Sequence, residues 1–146
     1  LSAAVLLGIS DALLDRTVQY VGTRQQFGRP VGSFQAIKHR LADAHLLLRT
    51  LRPAIWAAAH LTDVADPDAT LTASDAKARA SEAAALTNEH ALQSHGGIGF
   101  TWENDLHYWL KRGKALEQSY GSARWHRARI ADELFSPSNA KEFAAS

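Results

Sequence analysis

Two short segments of the sequence combine cationic, aromatic and glycine residues in patterns that suit phosphate binding. The first reads RQQFGRP at residues 24–30 and is followed by SFQ at residues 33–35. A cation at the end of one helix, a glycine turn and the start of a new helix can present a guanidinium group and backbone amides to a phosphate. The segment therefore predicts an anion site, although isolated surface charges are more often a solvated helix face.

The second candidate is a glycine-rich segment, QSHGGIGF, at residues 93–100. Glycines remove side chains, so a ligand can approach the backbone closely there. The same run is also typical of a plain helix end, and from the residues alone that simpler interpretation is favoured.

Other chemistries are excluded or left unsupported by the composition and the motifs. The sequence has no cysteine, which excludes disulfides, a thiolate nucleophile, an Fe–S cluster and cysteine-ligated zinc. It contains no G-x-S-x-G elbow, no P-loop and no dinucleotide-binding glycine motif after a strand. None of the seven histidines forms an i,i+4 pair, so we expect no metal site. Chemistry must then come from histidines, carboxylates, hydroxyls or a borrowed cofactor.

The charges are unevenly distributed although the formal net charge is only +1. Basic residues concentrate at residues 24–52 and 111–129, and acidic ones at residues 63–89. Basic helical surfaces bind nucleic acids, membranes or phosphorylated cofactors. The aromatic residues are not interleaved with the basic clusters, and no apolar run reaches the ~18 residues of a membrane span. We therefore expect a cytoplasmic protein without a nucleic-acid or membrane partner.

The spacing of apolar residues predicts an all-α fold, an antiparallel four-helix bundle with an additional short helix. The first helix covers about residues 2–23 and buries Leu7, Leu14, Val18 and Val21. The second is capped by Ser33 and runs through Pro53, where we expect a kink, to Leu61. Its heptad-like seam consists of Phe34, Ile37, Leu41, Ala44, Leu48, Leu51, Ile55 and Ala58.

A third helix, at about residues 69–95, has an inward stripe of small residues, which places it in the middle of the bundle. The stripe consists of Ala69, Ala73, Ala76, Ala80, Ala83 and Thr87. A short helix is predicted at about residues 102–114, and no strand is predicted anywhere. The last helix is expected to contain Leu116, Tyr120, Ala123, Ile130 and Leu134 at helical spacing. Residues 1–135 then form one domain and residues 136–146 a C-terminal tail.

The sequence lacks methionine and begins directly in apolar helical residues, so we expect a fragment or a processed product of a longer protein.

In order and at matching separations, the motifs resemble the C-terminal helical domain of the acyl-CoA dehydrogenases. The resemblance covers about residues 1–134. The matching residues are Tyr20-x-x-x-Arg24-x-x-Phe27-Gly28-x-Pro30, Phe34-Gln35-x-Ile37-x-x-x-Leu41-Ala42-Asp43, Lys77, Gln93-x-His95-Gly96-Gly97-Ile98-Gly99-Phe100 and Arg112.

The resemblance implies a flavoenzyme that uses FAD to remove hydrogens from the α and β carbons of an acyl-CoA substrate. It implies that Arg24 and Gln35 contact the pyrophosphate and adenine end of FAD, with Phe27 beside them. The ribose and phosphate region would be held by Gln93, Ser94, His95, Gly96 and Gly97. The family pairs through its helices, which implies a homodimer or tetramer, with FAD reaching the neighbouring subunit.

One departure from the family concerns the catalytic base. Many members carry the base in a Glu-Gly-Thr triplet, whereas this chain has Tyr120-Gly121-Ser122. Tyrosine has a pKa of about 10 in model peptides and is a poor base at neutral pH. Glu117, nearly one turn earlier, is a candidate replacement. The catalytic residue is therefore unknown at this stage.

Two alternatives remain open for the missing base. In some members it lies on the first helix of this domain, upstream of Leu1, and then the isolated domain is expected to be inactive. In others only one subunit of a heteromeric assembly is catalytic, and this chain would then be a non-catalytic partner subunit or assembly domain.

Overall fold

Five α-helices make up most of residues 1–101 and 105–136, which a computed structural model of the chain describes. They are α1 (Ser2–Thr23), α2 (Gln35–Asp63), α3 (Ala69–His95), α4 (Leu106–Gln118) and α5 (Ala123–Leu134). The predicted tail beyond residue 136 and the predicted start of the fourth helix at residue 102 lie outside the described residues. The expected all-α bundle with an additional short helix is confirmed.

The first four helices run alternately up and down, so α1 and α3 are parallel. The start of α1, the end of α2 and the start of α3 meet around a groove lined by Ala3, Ala58 and Ala73 among others. At the opposite end, Tyr20 of α1 stacks on His95 of α3. The two predicted phosphate-binding segments follow α1 and α3, respectively, so the topology places both at this second end of the bundle.

Helix α3 is the central helix, as its small residues predicted. It packs against α1, α2, α4 and α5. Ala80, Ala83 and Ala84 are fully buried, and Ala76 and Thr87 are nearly so. Small side chains allow the helix axes to approach closely, because no bulky side chain separates the backbones. The prediction was wrong at one end of the stripe, where Ala73 is exposed and Ala69 is half-buried.

Helix α2 confirms the predicted seam from Leu41 to Ala58 and continues through Pro53 to Asp63. The predicted cap at Ser33 is wrong. Residues 31–33 form a turn of 3-10 helix, so α2 begins only at Gln35 and its N-cap residue is Phe34. The Ser33 hydroxyl is buried and has no hydrogen-bond partner among the described residues.

Two further expectations, on Val18 and on the absence of strands, are corrected by the structure. Val18 is 49% exposed because it lies at the edge of the buried face of α1. Two strands do form, β1 (Gln25–Gln26) and β2 (Arg29–Pro30), which pair antiparallel. No helix among residues 1–101 and 105–136 is long and apolar enough to cross a bilayer.

The predicted last helix is divided in two. Leu116 belongs to α4, which ends at Gln118, whereas Tyr120 lies in the turn before α5. Tyr120 and Gly121 both have positive φ, 60° and 100°, and a helix cannot continue through left-handed residues. Ser122 then caps α5, because its hydroxyl accepts a hydrogen bond from the Trp125 amide at 3.3 Å.

Enlarging one alanine of α3 tests the close packing around this helix. Ala80→Leu should lower the free energy of unfolding by about 1–3 kcal/mol, since the site has no room for a larger side chain. Ala73→Leu, the same change on an exposed position of the same helix, should shift it by less than about 0.5 kcal/mol. Urea unfolding measures both values. Equal shifts would contradict the packing described here.

Candidate functional site

The segment after α1 is a tight hairpin that displays an aromatic ring. Gln26 pairs with Arg29, and the two residues between them, Phe27 and Gly28, have φ angles of 53° and 76°. A left-handed conformation is ordinary for glycine but costs about 1–3 kcal/mol for a residue such as phenylalanine. The Phe27 side chain is nevertheless 92% exposed, so its own burial does not offset this cost.

Two other residues predicted to bind a cofactor flank this hairpin. Arg24 is the C-cap residue of α1, and its carbonyl accepts a hydrogen bond from the Val31 amide at 2.8 Å. Among the described residues, no carboxylate lies within ion-pairing distance of the Arg24 guanidinium. Gln35 begins α2 and is exposed, and its side-chain oxygen accepts a hydrogen bond from His39 Nε2 at 2.9 Å. The hairpin and its flanking residues therefore present an aromatic ring, an amide side chain and a cation that has no carboxylate partner within the described part of the chain.

The glycine-rich segment after α3 leaves its backbone accessible. Gly96 has a φ of 61°, and a Cβ atom added to Gly96 or Gly97 would meet nothing within 4 Å. Gln93 is exposed, whereas Ser94 is buried and its hydroxyl has no hydrogen-bond partner among the described atoms. The main chain at this helix end is therefore open to a ligand from outside.

A ring stack joins the ends of α1 and α3, the two helices that lead into these segments. The rings of Tyr20 and His95 are 4.3 Å apart and inclined by only 15°. His95 Nδ1–H donates to the Ala91 carbonyl at 2.9 Å, and burial lowers the pKa of the ring despite this bond. The stack lines one wall of a pocket of about 290 Å³ that also contains Arg16 and Gln19. All eight predicted cofactor-binding residues lie in these two segments, which the fold brings to one end of the bundle.

Tyr120, which stands where many family members carry the catalytic base, lies elsewhere on the bundle. Tyr120 is 83% exposed and lines a pocket of about 320 Å³ together with Lys77, His126 and Arg129. Lys77 and His95 are both on α3, eighteen residues apart, which corresponds to about 27 Å along the helix axis at 1.5 Å per residue. The Tyr120 pocket and the hairpin are therefore separate regions of the surface.

Glu117, the candidate replacement base, is not among the residues that line this pocket. Its side chain is almost completely buried, and its Oε2 atom accepts a hydrogen bond from Lys114 Nζ at 2.8 Å. No carboxylate is among the residues that line the Tyr120 pocket. The described residues also gather no group of three metal-ligating side chains.

Sequence reasoning missed the roles of Lys77 and His126 around the Tyr120 turn. Both are nearly fully buried, and both donate hydrogen bonds to main-chain carbonyls of the segment between α4 and α5. The sequence feature that could have indicated this role is Lys77 itself, because it lies between alanines of a helix whose buried face otherwise consists of small side chains.

Known proteins resemble the chain over nearly all of its length. The family described as "Acyl-CoA dehydrogenase, C-terminal domain" matches residues 1–135. The acyl-CoA dehydrogenase IpdE2 of Mycolicibacterium smegmatis is 41% identical over 135 residues, which cover 92% of this chain and 42% of that protein. The chain thus spans about two fifths of the length of such curated relatives.

Solved structures share the fold closely. A structure of the Tcur3481-Tcur3483 steroid ACAD is 32% identical, with a TM-score of 0.87, and the match covers 99% of this chain and 38% of that one. The FAD complex of PigA is 29% identical, with a TM-score of 0.83, over 90% of this chain and 34% of that one. Since the family match takes in almost the whole chain and the fold agrees, the chain belongs to the acyl-CoA dehydrogenase family, of which it represents the C-terminal helical domain.

Proposed function

We propose that this domain binds the adenine, ribose and pyrophosphate portion of FAD in an acyl-CoA dehydrogenase. The observation that carries the proposal is the hairpin after α1. Its left-handed backbone displays the largely exposed ring of Phe27, which meets Phe34 edge-on at 6.2 Å between centroids, and the hairpin directly follows Arg24. Strained backbone positions cluster at ligand-binding sites, and the exposed ring offers a ligand an apolar surface.

The residues present fit a phosphate-bearing cofactor. The Arg24 guanidinium, which has no carboxylate partner among residues 1–101 and 105–136, can make charge-assisted hydrogen bonds to a pyrophosphate, and Phe27, three residues later, offers a flat apolar surface. At the same end of the bundle, the open backbone of Gly96 and Gly97 allows close approach of a sugar or phosphate. The unpartnered hydroxyl of Ser94 adds a further polar group in this region.

The proposed reaction is the α,β-dehydrogenation of an acyl-CoA thioester. FAD, when bound, supplies the acceptor for the hydride that leaves the β carbon. In the Tyr120 pocket, the tyrosine hydroxyl acts as a hydrogen-bond donor to the substrate. The base for the α proton comes from outside the described lining of this pocket, in which no carboxylate is found.

The separation of the two regions supports a shared site in a homodimer or tetramer. Lys77, which lines the Tyr120 pocket, and His95, at the end of the bundle that carries the hairpin, are about 27 Å apart along α3. A cofactor that reaches across a subunit boundary would be held at its adenine end by the hairpin of one subunit and would meet the Tyr120 pocket of another.

A second candidate function is that of a non-catalytic subunit in a heteromeric acyl-CoA dehydrogenase. The observation that favours it is Tyr120 at the position where many relatives carry the base. The similar steroid ACAD bears two protein names, Tcur3481 and Tcur3483, which is consistent with an assembly of two different chains. In that case the cofactor-binding hairpin would serve the partner's active site.

Removal of the hairpin guanidinium tests the FAD proposal. Arg24→Ala in the full-length protein should weaken FAD binding about tenfold or more, because a hydrogen bond to a charged group contributes about 1.5–3 kcal/mol. The measurement is flavin absorbance retained after gel filtration. Arg79→Ala is the matched control, since Arg79 is an exposed arginine of α3 that pairs with Asp75. Full flavin retention by Arg24→Ala would contradict the assignment.

A conservative change in the second pocket tests the role of Tyr120. Tyr120→Phe should raise the KM for acyl-CoA about two- to tenfold, as expected for a lost neutral hydrogen bond, while kcat falls less than about threefold. Tyr108→Phe, on the exposed surface of α4, is the matched control. Steady-state turnover of acyl-CoA with an artificial electron acceptor provides both constants.

A collapse of kcat in Tyr120→Phe would instead identify the phenol as part of proton abstraction. If the unmodified protein binds FAD yet no acyl-CoA reduces the flavin until a second subunit is added, the non-catalytic alternative is favoured.

A further inference from the structure

The turn between α4 and α5, residues 119–122, is held in a strained conformation. Tyr120 and Gly121 are consecutive left-handed residues, with φ angles of 60° and 100°. A Cβ atom on Gly121 would lie only 2.7 Å from the ring of Trp125, so the turn is packed tightly against α5. A non-glycine residue keeps a positive φ only when its surroundings impose it. The contacts that impose it here come from buried side chains.

The most important of these side chains belongs to Lys77 of α3, which is only 4% exposed. Its Nζ atom donates to the Ser81 hydroxyl at 2.7 Å, to the Glu117 carbonyl at 3.1 Å and to the Gly121 carbonyl at 3.1 Å. An ammonium group has three donors, so all of them are used within the protein. Two of these bonds link the centre of the bundle to the end of α4 and to the turn.

Two opposing electrostatic effects act on the buried ammonium of Lys77. Burial lowers the pKa of Lys77, and the nearby negative charge of Glu117 opposes that effect. The carbonyl of Glu117 belongs to the last turn of α4, where the helix dipole favours a cation. The ammonium is therefore stabilised mainly by the groups that it holds in place.

A second buried side chain holds the other carbonyl of the turn. His126 Nε2–H donates to the Tyr120 carbonyl at 3.0 Å. Because a carbonyl oxygen only accepts, this bond requires the proton on Nε2. The carbonyls of both left-handed residues are thus bonded by side chains from α3 and α5, and the Tyr120 side chain is directed outward to the pocket.

We propose that Lys77 is a positioning residue that fixes the turn at residues 119–122 and thereby the orientation of Tyr120 in the substrate pocket. Lys77 acts through the main chain of the turn and not by contact with the substrate, since its donors are already bonded. The identity of the substrate as an acyl-CoA thioester rests on the function proposed above. The restraint on the turn stands independently of it.

Hydrogen exchange of the full-length protein tests the restraint without reference to any ligand. Lys77→Met removes the ammonium and keeps an unbranched side chain, so the Trp125 and His126 amides, which bond to Ser122, should exchange about tenfold faster. The matched control is Ser81→Ala. Ser81 accepts a hydrogen bond from Lys77 but belongs neither to the turn nor to the end of α4. The control should change this exchange less than about threefold. Equal exchange in both variants would overturn the proposal.

The single substitution removes the buried positive charge near the Glu117 carboxylate, which keeps its ion pair with Lys114, and the loss of that charge can prevent folding. In that event Lys77→Met is combined with Glu117→Gln, which removes both buried charges. The double variant should show the same faster exchange at the start of α5, and the variant Glu117→Gln alone is its reference. Exchange as slow as in that reference would contradict the role of Lys77.

A double-mutant cycle with Tyr120→Phe tests the consequence for the substrate. Lys77→Met should raise the Kd for acyl-CoA about two- to tenfold in the otherwise unmodified protein and less than about twofold in the Tyr120→Phe variant. Equal effects in both backgrounds would show that Lys77 does not act through Tyr120. If no variant and no unmodified protein binds acyl-CoA, the proposed function fails, and hydrogen exchange alone then decides the role of Lys77.

Discussion

The close approach of α3 to the other four helices is the constraint on which the rest of the structure depends. Its buried face consists largely of alanine, with Ala80, Ala83 and Ala84 completely inaccessible. Without bulky side chains between the backbones, α3 contacts α1, α2, α4 and α5 at once. Because successive helices alternate in direction, α1 and α3 are parallel, and the hairpin and the glycine-rich segment therefore lie at one end.

The same packing explains why a charged residue is found in the centre. A lysine on the alanine-rich face can extend to the end of α4 and to the following turn, because the helices are close enough for its side chain to span. A shorter residue would leave the carbonyls of Glu117 and Gly121 buried and unbonded, which is costly. The packing of the bundle and the conformation of the Tyr120 turn are therefore connected through one side chain.

Much of the fold could be predicted because local and tertiary preferences agree. The bounds of α1 and α3 match the expected residues 2–23 and 69–95, since glycine, proline and polar residues end each apolar pattern. The seam of α2 from Leu41 to Ala58 was also predicted, because a heptad spacing directs side chains to one face. Prediction failed where backbone strain decides, as at Phe27 and Tyr120, because helical spacing carries no information about a positive φ imposed by neighbours.

The sequence by itself determined the helical class, the central position of α3 and the family, since these depend on residue type, spacing and motif order. It also identified the hairpin and the glycine-rich segment as candidate cofactor-binding regions. Only the tertiary structure decided that both segments lie at one end of the bundle. It also decided that Glu117 is buried and does not line the Tyr120 pocket, and that Lys77 and His126 hold the Tyr120 turn. The physical reason is that Lys77 and Gly121 are 44 residues apart in the chain, and their hydrogen bond exists only after the helices have packed.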